Sequence, residues 1–228
     1  MVKRFAIIGL GYFGERLALE LTERGAEVIV IDNTMSKIED IKNKVAYAIR
    51  LDSTDENALR NQGLEDLDAV IVAIGEDFES ALLTCVHLLR FKCKRVVVKS
   101  TSPLHTEIFK NVGVHLVISP EEIVAERVAM RMFSDSVLDL IPLTDEYSIL
   151  QVEAPRRFYG KTLKELDLRN RFSVNLITIK RVKIGTDSSG VQTREESVIG
   201  VPMAETIIEE HDVLVLLGRE RDIHRMID

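Results

Sequence analysis

Three glycines, Gly9, Gly11 and Gly14, stand in the segment GLGYFG with G-x-G-x-x-G spacing. The apolar run FAII precedes them and an amphipathic stretch follows, so they fall where a strand turns into a helix. There each has a task. The first makes a tight turn, the second lets backbone approach a pyrophosphate, and the third permits close helix–strand packing. Tyr12 and Phe13 fill the loop between the second and third glycines. A helix opening at this point offers unpaired N–H groups and a partial positive charge to a phosphate. The next apolar run, EVIVI, ends at Asp32, with Asn33 beside it. A carboxylate at that distance accepts both ribose hydroxyls and repels a 2′-phosphate, which disfavours NADP.

Ligands of open α/β sheets bind at the carboxyl ends of the strands, so residues after the other apolar runs are further candidates. Asp52 and Ser53 follow the third run and either meet an adenine edge or cap the helix begun by STDEN. After the fourth run, AIGED places Ala73, Ile74 and Gly75 toward the base and ribose. Gly75 either allows close approach there or simply turns the chain. Lys99 ends the fifth run, within reach of a phosphate or ribose. The segment SPEE puts Glu121 and Glu122 in the first turn of a helix, where acids complement its dipole.

A catalytic inventory is harder to assemble. A nicotinamide dehydrogenase needs a proton donor beside the ring. The later part of the chain offers only His211 and His224, both in charged segments. Neither a Tyr-x-x-x-Lys pair nor a Gly-x-Ser-x-Gly elbow occurs. YGKT at Tyr159–Thr162 looks like the end of a phosphate loop, but Pro155 occupies the place of its first glycine. Cys85 and His87, at i and i+2 on a helix, point to different faces, and Cys85 and Cys93 lack metal-ligand spacing. The expectation is a binding protein without catalytic residues or a metal site.

The elements that must position these residues follow from the apolar pattern. Strand candidates are Phe5–Ile8, Glu27–Ile31, Ala46–Arg50, Ala69–Ala73, Arg95–Lys99 and His115–Ile118, β-branched and apolar without alternation. Helices such as Phe13–Arg24 and Glu79–Phe91 lie between them. Alternation of this kind predicts an α/β fold, a Rossmann-type doubly wound parallel sheet, over residues 1–133. In SDSVLDLIPLTDEYSI the strand–helix beat is lost, which places a hinge at 134–142. Residues 143–228 then form a small α+β domain from YSILQVEA, NLITIKRV and DVLVLLG, separated by charged loops such as GTDSSGVQTREES. A core that small favours packing against a second copy.

With 228 residues, 46% hydrophobic and 29% charged, the composition is that of an ordinary globular protein. No apolar run approaches the ~20 residues that span a bilayer, and no signal peptide is recognised. Two cysteines cannot build a disulfide framework. A cytoplasmic location is expected, without membrane insertion. A net charge of −7 argues against nucleic-acid binding.

The stretches FAIIGLGYFGERLALELTERGAEVIVID, LDSTDENAL, AVIVAIGED and VVVKS resemble the N-terminal RCK (KTN) domain. The later stretch VLDLIPLTDEYSILQVEAPRRFYGKTLKELDLRNRFSVNLITIKR, with DVLVLLG, resembles the RCK C-terminal domain. Their order is that of the cytosolic regulatory subunits of Ktr and Trk potassium transporters. The resemblance implies a nucleotide-sensing gating subunit that binds ATP, ADP, AMP or NAD(H) at the glycine edge. It would form homodimers assembled into a ring beneath a separate membrane-embedded potassium transporter subunit. In this family Asp32 would hold the ribose, Asp52, Ser53 and Lys99 would complete the pocket, and Glu121 would make a cation-linked contact at the dimer interface. Tyr12 is a departure, since ATP-binding relatives often carry an arginine between the second and third glycines. Either Arg16 compensates, or AMP, ADP and NAD(H) bind as well as ATP. Some C-terminal domains of the family bind cyclic di-AMP through a loose motif for which Arg169, Asn175 and Pro202 are candidates, with core or surface roles equally open. The competing functions are an NAD-dependent oxidoreductase and a structural assembly subunit that nucleotide merely stabilises.

Overall fold

A computed structural model describes residues 2–133, 137–186 and 192–227. The chain divides into two compact units, Met1–Ile123 and Val124–Asp228.

In the first unit strands and helices alternate. The order is β1 (Arg4–Ile8), α1 (Tyr12–Glu23), β2 (Glu27–Asp32), α2 (Met35–Ile41), β3 (Tyr47–Arg50), α3 (Glu56–Arg60), β4 (Ala69–Val72), α4 (Phe78–Arg90), β5 (Val96–Lys99), α5 (Pro103–Val112) and β6 (Leu116–Ile118). A further helix, α6 (Pro120–Phe133), contains the boundary between the units. All six strands pair in parallel in the order β3-β2-β1-β4-β5-β6, the doubly wound arrangement expected. The uninterrupted apolar runs are explained by two cores, one on each face of the sheet. Successive side chains of a strand point to opposite faces. Accordingly Ala6, Ile8, Val70 and Val72 join the core under α4 and α5, with Cys85, Leu88 and Phe109. Ile7, Ala69 and Ile71 join the other, with Ala18 of α1 and Ile38 and Ile41 of α2.

Local chemistry sets the helix starts. Asp77 caps α4 by accepting from the Ser80 N–H, and Ser102 caps α5 by accepting from the His105 N–H, with Pro103 at the first helical position. Gly113 ends α5 in the left-handed conformation.

The second unit is built on an antiparallel sheet of order β10-β9-β11-β8-β7. Its strands are β7 (Val137–Pro142), β8 (Ser148–Glu153), β9 (Asn175–Thr186), β10 (Gln192–Ile199) and β11 (Val213–Gly218). Short helices α7 (Leu163–Leu166) and α8 (Leu168–Phe172) precede β9, and α9 (Glu220–Ile227) follows β11. Leu150, Val152, Ile179, Leu214, Leu216, Ile223 and Met226 form its core. Two sequence expectations change here. Of the hinge placed at 134–142, residues 134–136 lie outside the described residues, whereas Val137–Pro142 are an edge strand paired with β8. Pro142 sits at the strand end, where a missing N–H is tolerated. The charged stretch read as a loop supplies the end of β9 and the start of β10, which pair from Gln192↔Thr186 to Ile199↔Ile179. Among the described residues no helix is long and apolar enough to cross a membrane.

Candidate functional site

The glycine loop leaves β1 through Gly9, whose φ of +100° suits glycine alone. A Cβ at Gly9 would lie 2.9 Å from the Ile74 nitrogen and 3.0 Å from the Ala73 carbonyl carbon. One at Gly14 would lie 2.0 Å from the Gly9 carbonyl oxygen. The protein's own packing therefore demands these two glycines. Gly11 differs. Its φ of −75° and ψ of 178° are open to any residue, and a Cβ there would meet no protein atom within 4 Å. As the N-cap of α1 it has no side chain to satisfy the first turn, so the N–H groups of Tyr12, Phe13 and Gly14 lack intrahelical acceptors. Tyr12 is 86% exposed.

Asp32 fixes this loop. Its Oδ2 accepts from the Leu10 N–H at 2.7 Å and its Oδ1 from the Thr34 N–H at 2.8 Å, while Lys37 of α2 stands 3.5 Å away. Burial alone would raise the carboxyl's pKa. The Leu10 and Thr34 hydrogen bonds, with Lys37, outweigh that and hold it below its ordinary 3.8. Leu10, Thr34 and Lys37 thus engage both carboxylate oxygens, and a ribose hydroxyl bound here would share them. Sequence reasoning gave Asp32 only a ligand role; the loop-fixing role and Lys37 were missed. A depressed carboxylate stabilises the fold above its unfolded pKa, and the contribution is lost as pH falls through the folded value. Asp32→Asn should therefore be less stable than the wild type at neutral pH, with the difference closing below about pH 4. Urea melts at pH 7 and at about pH 3 check this.

Other candidates are only partly gathered at this edge. Ala73 is buried, and its N–H donates to the Ile8 carbonyl at 2.7 Å, holding the β4 end beside Gly9. Lys99, only 13% exposed, forms an ion pair with Glu121 at 2.6 Å, and its ammonium lies over the Phe13 ring and close to Gly75. Asn33 accepts from Arg50 Nε through its carbonyl at 3.2 Å. Asp52 and Ser53 have partners within the protein. Asp52 accepts from both the hydroxyl and the N–H of Thr54, which hold its carboxyl below the usual range. The Ser53 hydroxyl is buried against Thr84 of α4 at 2.8 Å. Neither caps α3, whose cap is Asp55. His87, nearly buried, donates from Nε2 to the Thr54 carbonyl at 3.1 Å and so ties this loop to α4. Cys85 lies in the core, where burial pushes its thiol up to about 12.

In the second unit Arg169 Nε donates to Asn175 Oδ1 at 2.9 Å, bringing these two together at the surface. Pro202 lies in the connection between β10 and β11. His211 is exposed with a φ of +65°, and His224 lies on α9.

This framework has known counterparts. The TrkA-N domain family matches residues 5–120, and the TrkA-C domain family matches residues 148–228. Ktr system potassium uptake protein C of Bacillus subtilis is 35% identical over 225 residues, covering 99% of this chain and 96% of that protein. The chain belongs to the Ktr potassium uptake protein family. Ktr system potassium uptake protein A of the same organism is 30% identical, covering 98% of this chain and 95% of the relative. Beyond the Ktr family, the fold is shared with the GsuK channel bound to NAD. That likeness has a TM-score of 0.65 at 18% identity, over 97% of this chain and 38% of the channel.

Proposed function

We propose that this Ktr-family chain is a nucleotide-sensing regulatory subunit of a potassium uptake system and performs no catalysis. Residues 1–133 bind the nucleotide, and 143–228 form the second domain of the subunit. An adenine nucleotide lies along the carboxyl edge of the parallel sheet. Its phosphates sit on the N-terminus of α1, and its ribose hydroxyls on the carboxylate of Asp32. The observation that carries this reading is Gly11. Nothing in the protein's packing requires glycine there, yet it stands at the start of a helix whose first N–H groups have no side-chain cap. Kinship with the Ktr proteins supports the link to potassium, and a shared fold with a channel bound to NAD supports the choice of ligand class. The subunit works in the cytoplasm as a homodimer assembled into a ring against a separate membrane-embedded transporter subunit. Nucleotide gates that transporter by binding its two arrangements with different affinity. Arg169 and Asn175 are the proposed anchor points for a second ligand, cyclic di-AMP, in the C-terminal domain.

Gly11→Ala tests the site. The backbone there accepts alanine, so stability should stay equal or rise by about 0.5 kcal/mol through the unfolded state. Affinity for ATP, ADP, AMP or NADH should fall about tenfold or more, because the methyl group blocks the pyrophosphate. Calorimetric titration beside a denaturant melt reads both. Undiminished binding by Gly11→Ala would place the nucleotide elsewhere. Gating is tested separately, by potassium flux in vesicles containing the transporter. A flux indifferent to nucleotide would refute it.

A further inference from the structure

His87 of α4 has one ring nitrogen paired and one not. Its Nε2 stands 3.1 Å from the Thr54 carbonyl, which can only accept, so Nε2 carries the hydrogen. In the neutral ring Nδ1 is then a bare acceptor. It is buried and makes no hydrogen bond among the described residues. What it faces is a second acceptor, Glu56 Oε2 in the first turn of α3, 3.8 Å away. Hydrogen bonding from Arg60, with His87 and Arg90 nearby, holds the Glu56 carboxyl below its ordinary 4.5, so it is ionised wherever histidine titrates. Two acceptors facing each other make a poor contact, and a proton on Nδ1 turns it into an attractive one.

The other charges nearby do not cancel this gain. Arg60 holds Glu56 Oε1 at 3.0 Å and lies over the Phe91 ring, which stacks on His87. Arg90 approaches Oε2 at 3.9 Å. These two side chains are 58% and 65% exposed, so solvent screens their repulsion, whereas that of His87 is 11% exposed. In the loop before α3, Asp52 is bonded to Thr54, and Asp55 to the N–H groups of Asn57 and Ala58. Their charge favours an imidazolium. One turn earlier α4 grips the same loop again, where Thr84 meets the Ser53 hydroxyl at 2.8 Å.

We propose that His87 is a proton-operated latch that fastens α3 and the loop before it to α4. Protonated, the ring donates from Nε2 to Thr54 and from Nδ1 to Glu56, and so ties α4 to the loop and to the first turn of α3 together. Neutral, it holds the loop alone. The consequence for function rests on the nucleotide-sensing reading: the loop carries Asp52 and Ser53 at the carboxyl edge of the parallel sheet, so latching it orders the nucleotide edge. A fall in pH then tightens nucleotide binding, and bound nucleotide favours the proton. The charged ring gains Glu56 only in the folded chain. Its stabilising contribution is therefore present below about pH 6.5, where histidine is charged, and is lost as the pH rises to 8.

Amide hydrogen exchange of segment 53–60 in the full chain tests the latch, at pH 6 and pH 8, in the wild type, His87→Gln and Glu56→Gln. Glutamine at 87 can still donate to Thr54 but does not titrate. Glu56→Gln also loses the Arg60 and Arg90 pairs, at both pH values alike. Comparing variants at one pH cancels the intrinsic exchange rates, and circular dichroism confirms folding. Protection of the segment relative to each variant should be about threefold greater at pH 6 than at pH 8, the scale of one partly exposed ion pair. A ratio independent of pH for either variant would overturn the latch. Calorimetric titration with NAD, whose charge is the same at pH 6 and pH 8, tests the coupling. The wild type should bind about threefold more tightly at pH 6, and each variant equally at both. Exchange that responds beside NAD affinity that does not would keep the latch and overturn its link to nucleotide. A wild type that binds neither NAD nor ATP would bring down the nucleotide-sensing reading, while the exchange data still decide the latch.

Discussion

Gly14→Ala is expected to destabilise the first unit by about 2 kcal/mol and to abolish nucleotide binding. The new methyl carbon would stand 2.0 Å from the Gly9 carbonyl oxygen and 3.2 Å from the Ala73 Cβ. The oxygen belongs to backbone and cannot swing aside. Gly9 is itself tied down, because its N–H is bonded to the Ile31 carbonyl at 2.8 Å. Relief has to come from α1 moving off the sheet. Overpacking of this severity costs about 3 kcal/mol, at the upper end of such insertions. Alanine's better helix propensity returns about 1 kcal/mol, so the steric term wins. The same displacement carries the first-turn N–H groups away from the phosphates. A urea melt together with ATP titration measures both losses. Wild-type stability in this variant would mean that the loop is softer than its contacts imply. Gly11→Ala is the control: it lies in the same loop with the opposite stability outcome expected.

The second large effect lies in the other unit. Asp212 is fully buried and accepts two bonds from Arg181, at 3.1 and 3.0 Å, and one from the Glu209 N–H at 2.8 Å. Arg181 also pairs with Glu209 and donates to the Ile207 carbonyl. Asp212→Ala removes the centre of this network, takes one of its two anions from the guanidinium and leaves the Glu209 N–H without its acceptor. Breaking a buried pair from one side costs about 3–5 kcal/mol. The lower figure applies, because Arg181 keeps Glu209 and is 19% exposed. The double variant Arg181→Met/Asp212→Leu should recover much of the loss, since no charge is stranded. Denaturant melts of the two variants give the comparison, and a double variant as unstable as the single one would contradict the electrostatic account.

The parallel sheet was legible because its central strands are buried on both faces and so write their own apolar runs, as AVIV does at Ala69–Val72. The glycine loop was legible because its spacing is a steric requirement at Gly9 and Gly14. Where a residue has one face in solvent or a partner far off in the chain, the signal faded. β10 begins QTREES, which reads as a loop until β9 is seen beside it. β7 was hidden by Asp139 and Pro142, which look like punctuation. Ser53 was marked by its position at the strand end, and its bond to Thr84, 31 residues away, could not be read from there. The Lys99–Glu121 pair was unreadable for the same reason: two residues marked separately as candidates proved to be partners of each other.

The strand lengths carry a consequence for solubility. The parallel sheet ends on strands of four and three residues, β3 and β6, so each margin exposes few unpaired backbone groups as a template for another chain. The antiparallel sheet has a longer margin in the eight residues of β10. There Glu196 is exposed, and a charge on an edge opposes the flat stacking of strands on which amyloid depends. Such a margin is a poor template for another chain's strand, so growth of the sheet into a fibre is disfavoured.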